Sequence, residues 1–279
     1  MSYHIVVDSC GELPEKLKKD GHFENVPLEI FVDDYHIIDD ESFDQADFLR
    51  RVAESPNCPK STCPSPERYM KAFDCEAEHV YAVTLSAKLS GSYNSAELGR
   101  SLYLEEKGEK KIYIFDSRSA SVGETLIAMK IQECEEAGMD FEQVIETVEA
   151  YIEGQDTYFV LETLETLRKN GRLSNLKAFV ASALNIKPVM GATSEGEICQ
   201  LDQARGMGKA LDKMIHIMLD KVQNCEEKIL AISHCNNPKR AHLVAEKIGS
   251  LAHFKDIFVV NTAGISSMYA SDGGIIMVV

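Results

Sequence analysis

The first half of the chain alternates short β-branched and aromatic runs with stretches in which apolar residues recur every three or four positions. The first pattern is typical of buried strands and the second of amphipathic helices, so their alternation favours βαβ units and a parallel sheet. We predict strands at residues 3–7, 26–32, 35–38, 79–85 and 111–115, and helices at residues 92–104, 122–137 and 141–153. Ser42, with Gln45 three residues later, has the spacing of a capping box at the start of a further helix.

The pattern changes after Gly154. Residues 186–192 and 197–201 flank the turn-like segment Ser194-Glu195-Gly196, which predicts a hairpin rather than a crossover. A long helix at 206–222, a βαβ-like stretch over 228–260 and a final strand at 275–279 follow. We therefore predict an α/β fold in two domains, an α/β domain with a parallel sheet over residues 1–155 and an α+β domain with a mixed sheet over residues 156–279.

Composition and charge narrow the class of function. With 44% hydrophobic and 27% charged residues, the chain has an ordinary globular composition, which excludes a disordered, collagenous or disulfide-framework protein. Its 29 basic against 45 acidic residues give a net charge of −16, which repels nucleic acid backbones and anionic lipid headgroups. The sequence contains neither an apolar run of spanning length nor a signal-peptide pattern. We expect a cytoplasmic protein without stable membrane insertion or a nucleic acid partner.

Familiar catalytic and cofactor motifs are missing from the sequence. There is no phosphate-binding loop, no dinucleotide fingerprint and no nucleophile elbow. The eight cysteines have no framework spacing, and Cys58 and Cys63, the only close pair, have no second pair to complete a zinc site. His234 beside Cys235 is more typical of a structural pair than of a nucleophile and its base. The sequence therefore predicts no metal, no cofactor and no catalytic residue.

Hydroxyl side chains gather just before two predicted helices. They occur in residues 61–65, which include Ser61 and Thr62, and in residues 89–95, which include Ser90 and Ser92. Free backbone N–H groups and hydroxyls at a helix start suit a carboxylate or phosphate. Ser and Thr are also common as simple helix caps, so each segment alone has that second explanation. The similar segment 116–119, after the next strand, strengthens the case for an anion site.

Two basic positions stand out in this acidic chain. Arg172 lies in the segment 168–173 at the end of a short helix, and Arg205 follows the predicted hairpin. Either could face a bound anion, or could be ordinary surface charge complementing a helix dipole or solvent.

The order of these segments resembles the DegV family of bacterial fatty-acid-binding proteins, from Asp8-Ser9 to the C-terminus. Residues 61–65 are similar to the family's Thr-Ser-Gln-Pro-Ser segment, with Cys63 in place of glutamine, and residues 89–96 to its Leu-Ser-Gly-Thr-Tyr-Gln-Ser-Ala segment. The remaining similarities are Val26-Pro27-Leu28, Asp39, Asp116-Ser117 with Gly123, Gly171-Arg172-Leu173-Ser174 and Leu184-Asn185-Ile186-Lys187-Pro188.

The resemblance implies a two-domain fold, three-layered in its N-terminal domain, that holds one long-chain fatty acid in an apolar tunnel between the domains. It implies that hydroxyls of Ser61, Thr62 and Ser90, with Ser92 nearby, bind the carboxylate. Some family members present the bound acid to a separate ATP-dependent fatty-acid kinase subunit. Basic residues matching Arg172 and Arg205 lie around the mouth of that site, facing the phosphate and partner. The resemblance therefore implies a carrier that is not itself an enzyme.

One departure from the family pattern lies near the C-terminus. The family commonly ends with Gly-Thr-His-x-Gly-Pro-Gly, whose histidine lies near the carboxylate, whereas residues 267–273 place Tyr269 at that position. Fatty-acid binding is therefore better supported than kinase coupling. Two other functions stay open at this point: a phosphotransfer component related to dihydroxyacetone kinases, and a lipid-sensing regulator. Fold analogy alone is weak support for the former.

Overall fold

The computed structural model describes residues 2–173 and 185–279, so Ser174 and Leu184 of the family-like segments lie outside the described residues. The strands are β1 (Tyr3–Asp8), β2 (Phe23–Val26), β3 (Glu29–Val32), β4 (Tyr35–Ile38), β5 (Lys60–Thr62), β6 (His79–Thr84), β7 (Lys111–Asp116), β8 (Thr157–Val160), β9 (Ile186–Ala192), β10 (Ile198–Arg205), β11 (Ile229–His234), β12 (Asp256–Asn261) and β13 (Ile275–Val278). The helices are α1 (Glu15–Lys18), α2 (Gln45–Glu54), α3 (Pro66–Phe73), α4 (Ser92–Lys107), α5 (Val122–Glu136), α6 (Phe141–Glu153), α7 (Glu165–Lys169), α8 (Met207–Lys221), α9 (Pro238–Leu251) and α10 (Gly264–Ala270). No helix in the two described ranges is long and apolar enough to cross a bilayer.

A parallel sheet of order β2-β1-β6-β7 is covered by helices on both faces. Successive side chains of a strand point to opposite faces, so a strand buried on both faces is apolar throughout. Thus Val6 and Val80 pack with α3 and α4, whereas Val7 and Val83 pack with α5 and α6. The predicted α/β fold and its three layers are confirmed.

The second sheet is mixed, as predicted, with the order β10-β9-β8-β13-β11-β12. Only β11 and β12 pair in parallel; the other neighbours are antiparallel. Strands β9 and β10 form the predicted hairpin, and Gly196 has a φ of 80° at its tip, where a residue with a Cβ would be strained. Helices α8 and α9 cover one face of this sheet. The other face is directed toward the parallel sheet.

Helix α5 joins the two sheets. Its residues Ile127 and Ile131 pack against the parallel sheet, while Val122 and Leu126 pack against Ala231 and the neighbouring strand β13 of the mixed sheet. Because α5 contacts both sheets, it fixes the position of one sheet relative to the other. The division after residue 155 stays a prediction.

Two local predictions differ from the structure. Residues 26–32 are not one strand: Val26 ends β2, and β3 starts at Glu29 in a separate antiparallel sheet of order β4-β3-β5. Pro27, which lacks an N–H, lies at the break, where a continuous ladder would need that donor. Ser42 does not cap α2 either. Asp44 accepts the N–H of Asp47 at 3.0 Å, and Ser42 instead donates to the preceding Asp40.

Four carboxyl groups are buried close together beside the ends of the parallel strands. Burial raises the pKa of Asp8 and of Asp39 to about 6 and that of Glu12 to about 7. For Asp8, hydrogen bonds from the N–H groups of Leu85 and Cys10 act in the opposite direction. Burial, together with the nearby charge of Asp8, raises the pKa of Glu124 well above its usual range. The folded protein therefore keeps protons here at pH values up to about neutral, whereas the unfolded chain has already released them near pH 4.

This cluster predicts an unusual dependence of stability on pH. Because these pKa values are higher in the folded than in the unfolded state, the free energy of unfolding should fall as the pH rises from about 5 to 8. Each carboxyl group contributes up to about 1.4 kcal/mol per pH unit within its window. Glu124→Gln removes one titrating group and should flatten the slope by about that amount at most, measured by urea denaturation across the pH range. Glu105→Gln, on the exposed face of α4, is the control. Equal slopes for the native protein and Glu124→Gln would contradict the prediction.

Candidate functional site

A pocket lies between the carboxyl ends of the parallel strands and the open face of the mixed sheet. Leu85 and Ala120 contribute from the parallel-sheet side, Phe159, Ile198 and Ile276 from the mixed sheet, and Ile265 from α10. Ligands of open α/β sheets commonly bind at the carboxyl ends of the strands. Because most of its wall is hydrocarbon, this pocket suits an apolar ligand.

Polar groups meet at one end of the pocket. We call this the polar end and define it by Ser61, Leu89, Arg172 and Tyr269. The hydroxyls of Ser61 and Tyr269 lie 3.3 Å apart, and Leu89, Arg172 and Tyr269 line the pocket itself. Arg172 Nε donates to the Leu89 carbonyl at 3.1 Å, and its guanidinium lies 5.8 Å from the Tyr269 ring centroid. Segments remote in sequence thus converge on one small volume.

Side chains that donate hydrogen bonds to backbone carbonyls hold these segments together. Ser95, in the first turn of α4, donates its hydroxyl to the Pro64 carbonyl at 2.5 Å, which joins the two hydroxyl-rich segments. Asn170 donates its amide to the Pro59 carbonyl at 3.0 Å and so ties the end of α7 to β5. Arg172 also donates to the Asn170 carbonyl at 2.6 Å, which fixes its guanidinium near the polar end.

The chemistry of the polar end is that of an anion site. Burial raises the pKa of Tyr269, so its hydroxyl stays protonated at neutral pH and can donate a hydrogen bond. Ser61 supplies a second hydroxyl, and Arg172 a permanent positive charge. Two neutral donors beside a fixed cation stabilise a carboxylate or a phosphate oxygen. None of these groups is a general base, so the arrangement favours binding over catalysis.

The hydroxyls of Ser90 and Ser92 have local partners. Ser90 Oγ accepts the N–H of Ser92 at 3.2 Å and lies 3.1 Å from Ser92 Oγ, a turn at the start of α4. Ser92 is completely buried, and its hydroxyl acts on Asp8, where it lowers the pKa against the larger effect of burial. Both hydroxyls thus have local contacts, and the roles of Ser90 and Ser92 in carboxylate binding stay predictions.

Thr62 and Arg205 lie away from this meeting point. Thr62 follows Ser61 on β5 and is exposed, as the alternation of side chains along a strand requires. Arg205 is exposed at the end of β10, beside Ile186, and within the described residues it shares no hydrogen bond with Arg172 or Tyr269. Their roles in binding stay predictions.

The segment 116–119, which the sequence suggested as a third anion-binding element, is occupied by structural contacts. Asp116 accepts the N–H groups of Ala87 and Arg118, and Ser119 shares a 2.6 Å hydrogen bond with Thr157. Ser119 and Arg118 line the pocket together with Gly196 of the hairpin tip. This group therefore forms a wall of the pocket rather than part of the polar end.

The apolar wall of the pocket has no distinguishing signal in the sequence. Phe159 and Ile276 belong to β8 and β13, whose apolar runs are indistinguishable in sequence from ordinary core strands. Only their pairing in one sheet, opposite Leu85, makes them a pocket wall. Within the described residues, no group of three or more His, Cys, Asp and Glu side chains is arranged to hold an ion.

The chain matches the family described as "Uncharacterised protein, DegV family" over residues 2–277. A DegV domain-containing protein of Streptococcus pneumoniae is 36% identical over 280 residues, which cover 99% of this chain and 98% of that protein. Among solved structures, a DegV family protein from Ruminococcus gnavus with vaccenic acid is 58% identical, has a TM-score of 0.98 and is covered completely, as is this chain. The Streptococcus pneumoniae fatty acid kinase (Fak) B3 protein loaded with linoleic acid is 33% identical, with a TM-score of 0.90 over 100% of this chain and 99% of that one.

The similarity thus extends over nearly the whole sequence and over both sheets of the fold. The resemblance found in the hydroxyl-rich segments is confirmed: the chain belongs to the DegV family.

Proposed function

We propose that the chain binds one long-chain fatty acid, with the hydrocarbon in the apolar pocket and the carboxylate at the polar end. The observation that supports this most directly is the placement of Ser61, Arg172 and Tyr269 at one end of a pocket with hydrocarbon walls. An amphiphile with one anionic group and a long apolar tail matches both parts. The vaccenic acid and linoleic acid carried by the two similar structures are ligands of that class.

The energetics of the two parts differ. Burial of the tail contributes roughly 0.8 kcal/mol for each CH₂ removed from water and does not depend on direction. The carboxylate must instead exchange its water for protein donors, because a buried charge without partners is strongly unfavourable. Ser61 and Tyr269 supply those donors, and Arg172 offsets part of the repulsion from the −16 net charge of the chain. The tail supplies most of the affinity and the polar end selects the acid.

We infer further that the chain is a carrier without catalytic activity of its own, and that a separate ATP-dependent kinase subunit is its partner. The similarity to the fatty acid kinase B3 protein supports that partner. Tyr269 affects this step because a neutral phenol, unlike a histidine, cannot carry a positive charge toward a transferring phosphoryl group near pH 7. Arg172 would then be the cation of the polar end during transfer.

The first prediction from this proposal is that the purified protein carries one long-chain fatty acid, about C14–C18, per molecule. Delipidated protein should unfold at a lower temperature, because a ligand that binds only the folded state stabilises it by mass action. Native mass spectrometry and extraction of bound small molecules measure the lipid content. A thermal melt with and without added oleic acid measures the stabilisation. Protein that carries no lipid and shows no thermal shift with fatty acids would contradict the proposal.

A second prediction concerns Ser61→Ala. Loss of one hydrogen bond to a charged carboxylate should weaken oleic acid binding by about 1.5–3 kcal/mol, roughly ten- to 150-fold. Ser65→Ala, at an exposed position of the same segment whose side chain does not cap the backbone of α3, is the matched control. Displacement of a fluorescent fatty acid measures both variants. Equal affinities would exclude Ser61 from the carboxylate site.

A third prediction concerns Tyr269 and the kinase. Tyr269→Phe should weaken fatty acid binding through loss of the hydroxyl, whereas Tyr269→His should retain binding and increase acyl phosphate formation by a kinase subunit. The assay compares both variants with the native protein for oleic acid affinity and for acyl phosphate produced. If the native protein supports full acyl phosphate formation and neither substitution changes it, Tyr269 has no part in the transfer.

A further inference from the structure

Helix α10, which contributes Tyr269 to the pocket, is held at its N-terminus by a residue far away in sequence. The Asp39 carboxylate accepts the N–H of Gly264 at 2.6 Å and the N–H of Ile265 at 2.9 Å. Both donors belong to the first turn of α10, whose N–H groups have no partner within the helix. Asp39 is 2% exposed, so water does not replace it.

Contacts around Asp39 leave little freedom for this cap. Ser9 donates its hydroxyl to Asp39 at 2.9 Å and itself accepts the N–H of Leu28 at 3.0 Å. A Cβ on Gly264 would lie 2.5 Å from an oxygen of Asp39, so the close approach requires a glycine at this position. Three donors thus converge on two carboxylate oxygens.

The same short helix carries the wall and the polar end of the pocket. Ile265 and Ser266, in its first turn, line the pocket, and Tyr269 is in its last turn. A helix transmits a change at one end to the other because its backbone hydrogen bonds leave it rigid over so few residues. A shift at Gly264 therefore moves the Tyr269 hydroxyl relative to Ser61, which is on a different element.

We propose that Asp39 is a positioning residue for the polar end: by capping α10 it holds Tyr269 beside Ser61 and so determines the preference for a free fatty acid over a lipid of equal length with a neutral head. This inference rests on the proposed function. Asp39 is one of the family-like positions to which the sequence assigned no role. Asp39 makes no hydrogen bond to the polar end, and within the described residues its one hydrogen bond from a pocket-lining residue comes from the backbone N–H of Ile265. We therefore expect its largest effect at the head group.

The test compares oleic acid with oleyl alcohol, which share a tail and differ in the head. Asp39→Asn replaces one of the two carboxylate oxygens by an amide NH₂ group. The single remaining oxygen cannot accept from all three donors, so an amide N–H faces a donor, such as a backbone N–H of α10. The acid-to-alcohol affinity ratio should fall about tenfold or more, while the alcohol's affinity stays within about twofold of the native value. Asp40→Asn, the same substitution at the adjacent exposed position, should leave both affinities unchanged. Delipidated protein is used, and circular dichroism confirms folding.

A cycle with Tyr269→Phe separates positioning from a general loss of structure. If Asp39 acts through Tyr269, Asp39→Asn should change the ratio by no more than about twofold in the Tyr269→Phe background. Additive losses overturn the proposal, as does an equal loss of acid and alcohol affinity in Asp39→Asn. If Asp39→Asn does not fold, Ser9→Ala removes one of the three donors and should lower the ratio in the same direction. An unchanged ratio in folded Ser9→Ala then overturns it.

The proposed function fails in a different way. If Ser61→Ala and Tyr269→Phe both leave the acid-to-alcohol ratio unchanged, the carboxylate does not bind at the polar end. If those two variants lower the ratio and folded Asp39→Asn does not, the function stands and the positioning role is wrong.

Discussion

The structure depends on one helix that must be buried on both sides. Helix α5 presents apolar residues around most of its circumference, and such a helix is stable only between two layers. The parallel sheet covers one side and the mixed sheet part of the other. Because the same helix contacts both sheets, the space between them has a set geometry, and the pocket occupies it.

Burial of α5 also has an electrostatic cost. Glu124, in its first turn, lies among the other buried carboxyl groups, and burial keeps it protonated. Asp39 in the same region accepts three hydrogen bonds. The two buried carboxyl groups therefore play different structural roles. Glu124 packs as a neutral, protonated side chain, whereas Asp39 accepts backbone N–H groups and holds the start of α10 in place. Arg172, outside this carboxyl cluster, places a positive charge at the polar end of the pocket.

Much of the fold was predictable because the strands of the parallel sheet are buried on both faces and therefore apolar throughout. Residues 79–85 and 111–115 are of this kind, and the structure confirms them within a residue or two. The separation of Val26 from β3 was less evident, since β propensity continues across Pro27 and only hydrogen bonding reveals the break.

The site was predictable where a residue type is unusual for its position. Ser61 stood out as a hydroxyl before a helix, and Arg172 as a cation in an acidic chain. Tyr269 was identified only through the resemblance to a family, because a single tyrosine in a short helix has no distinguishing pattern in the sequence. Asp39 was part of a similar segment, yet its task depends on Gly264, 225 residues away, and no local rule connects the two. Phe159 and Ile276 resemble any other core residues in sequence.

These long separations have a consequence for the order of events during synthesis. Ser61 and Tyr269 are 208 residues apart, and contacts of that range form late because the chain must first close a large loop. While a ribosome is still adding the last dozen residues described here, the strand bearing Ser61 has long since emerged, but α10 is still inside the exit tunnel. A partly made chain can assemble its parallel sheet, yet it has no complete polar end. Under the proposed function, a chain whose α10 has not yet emerged lacks the Tyr269 hydroxyl that would bind the carboxylate beside Ser61.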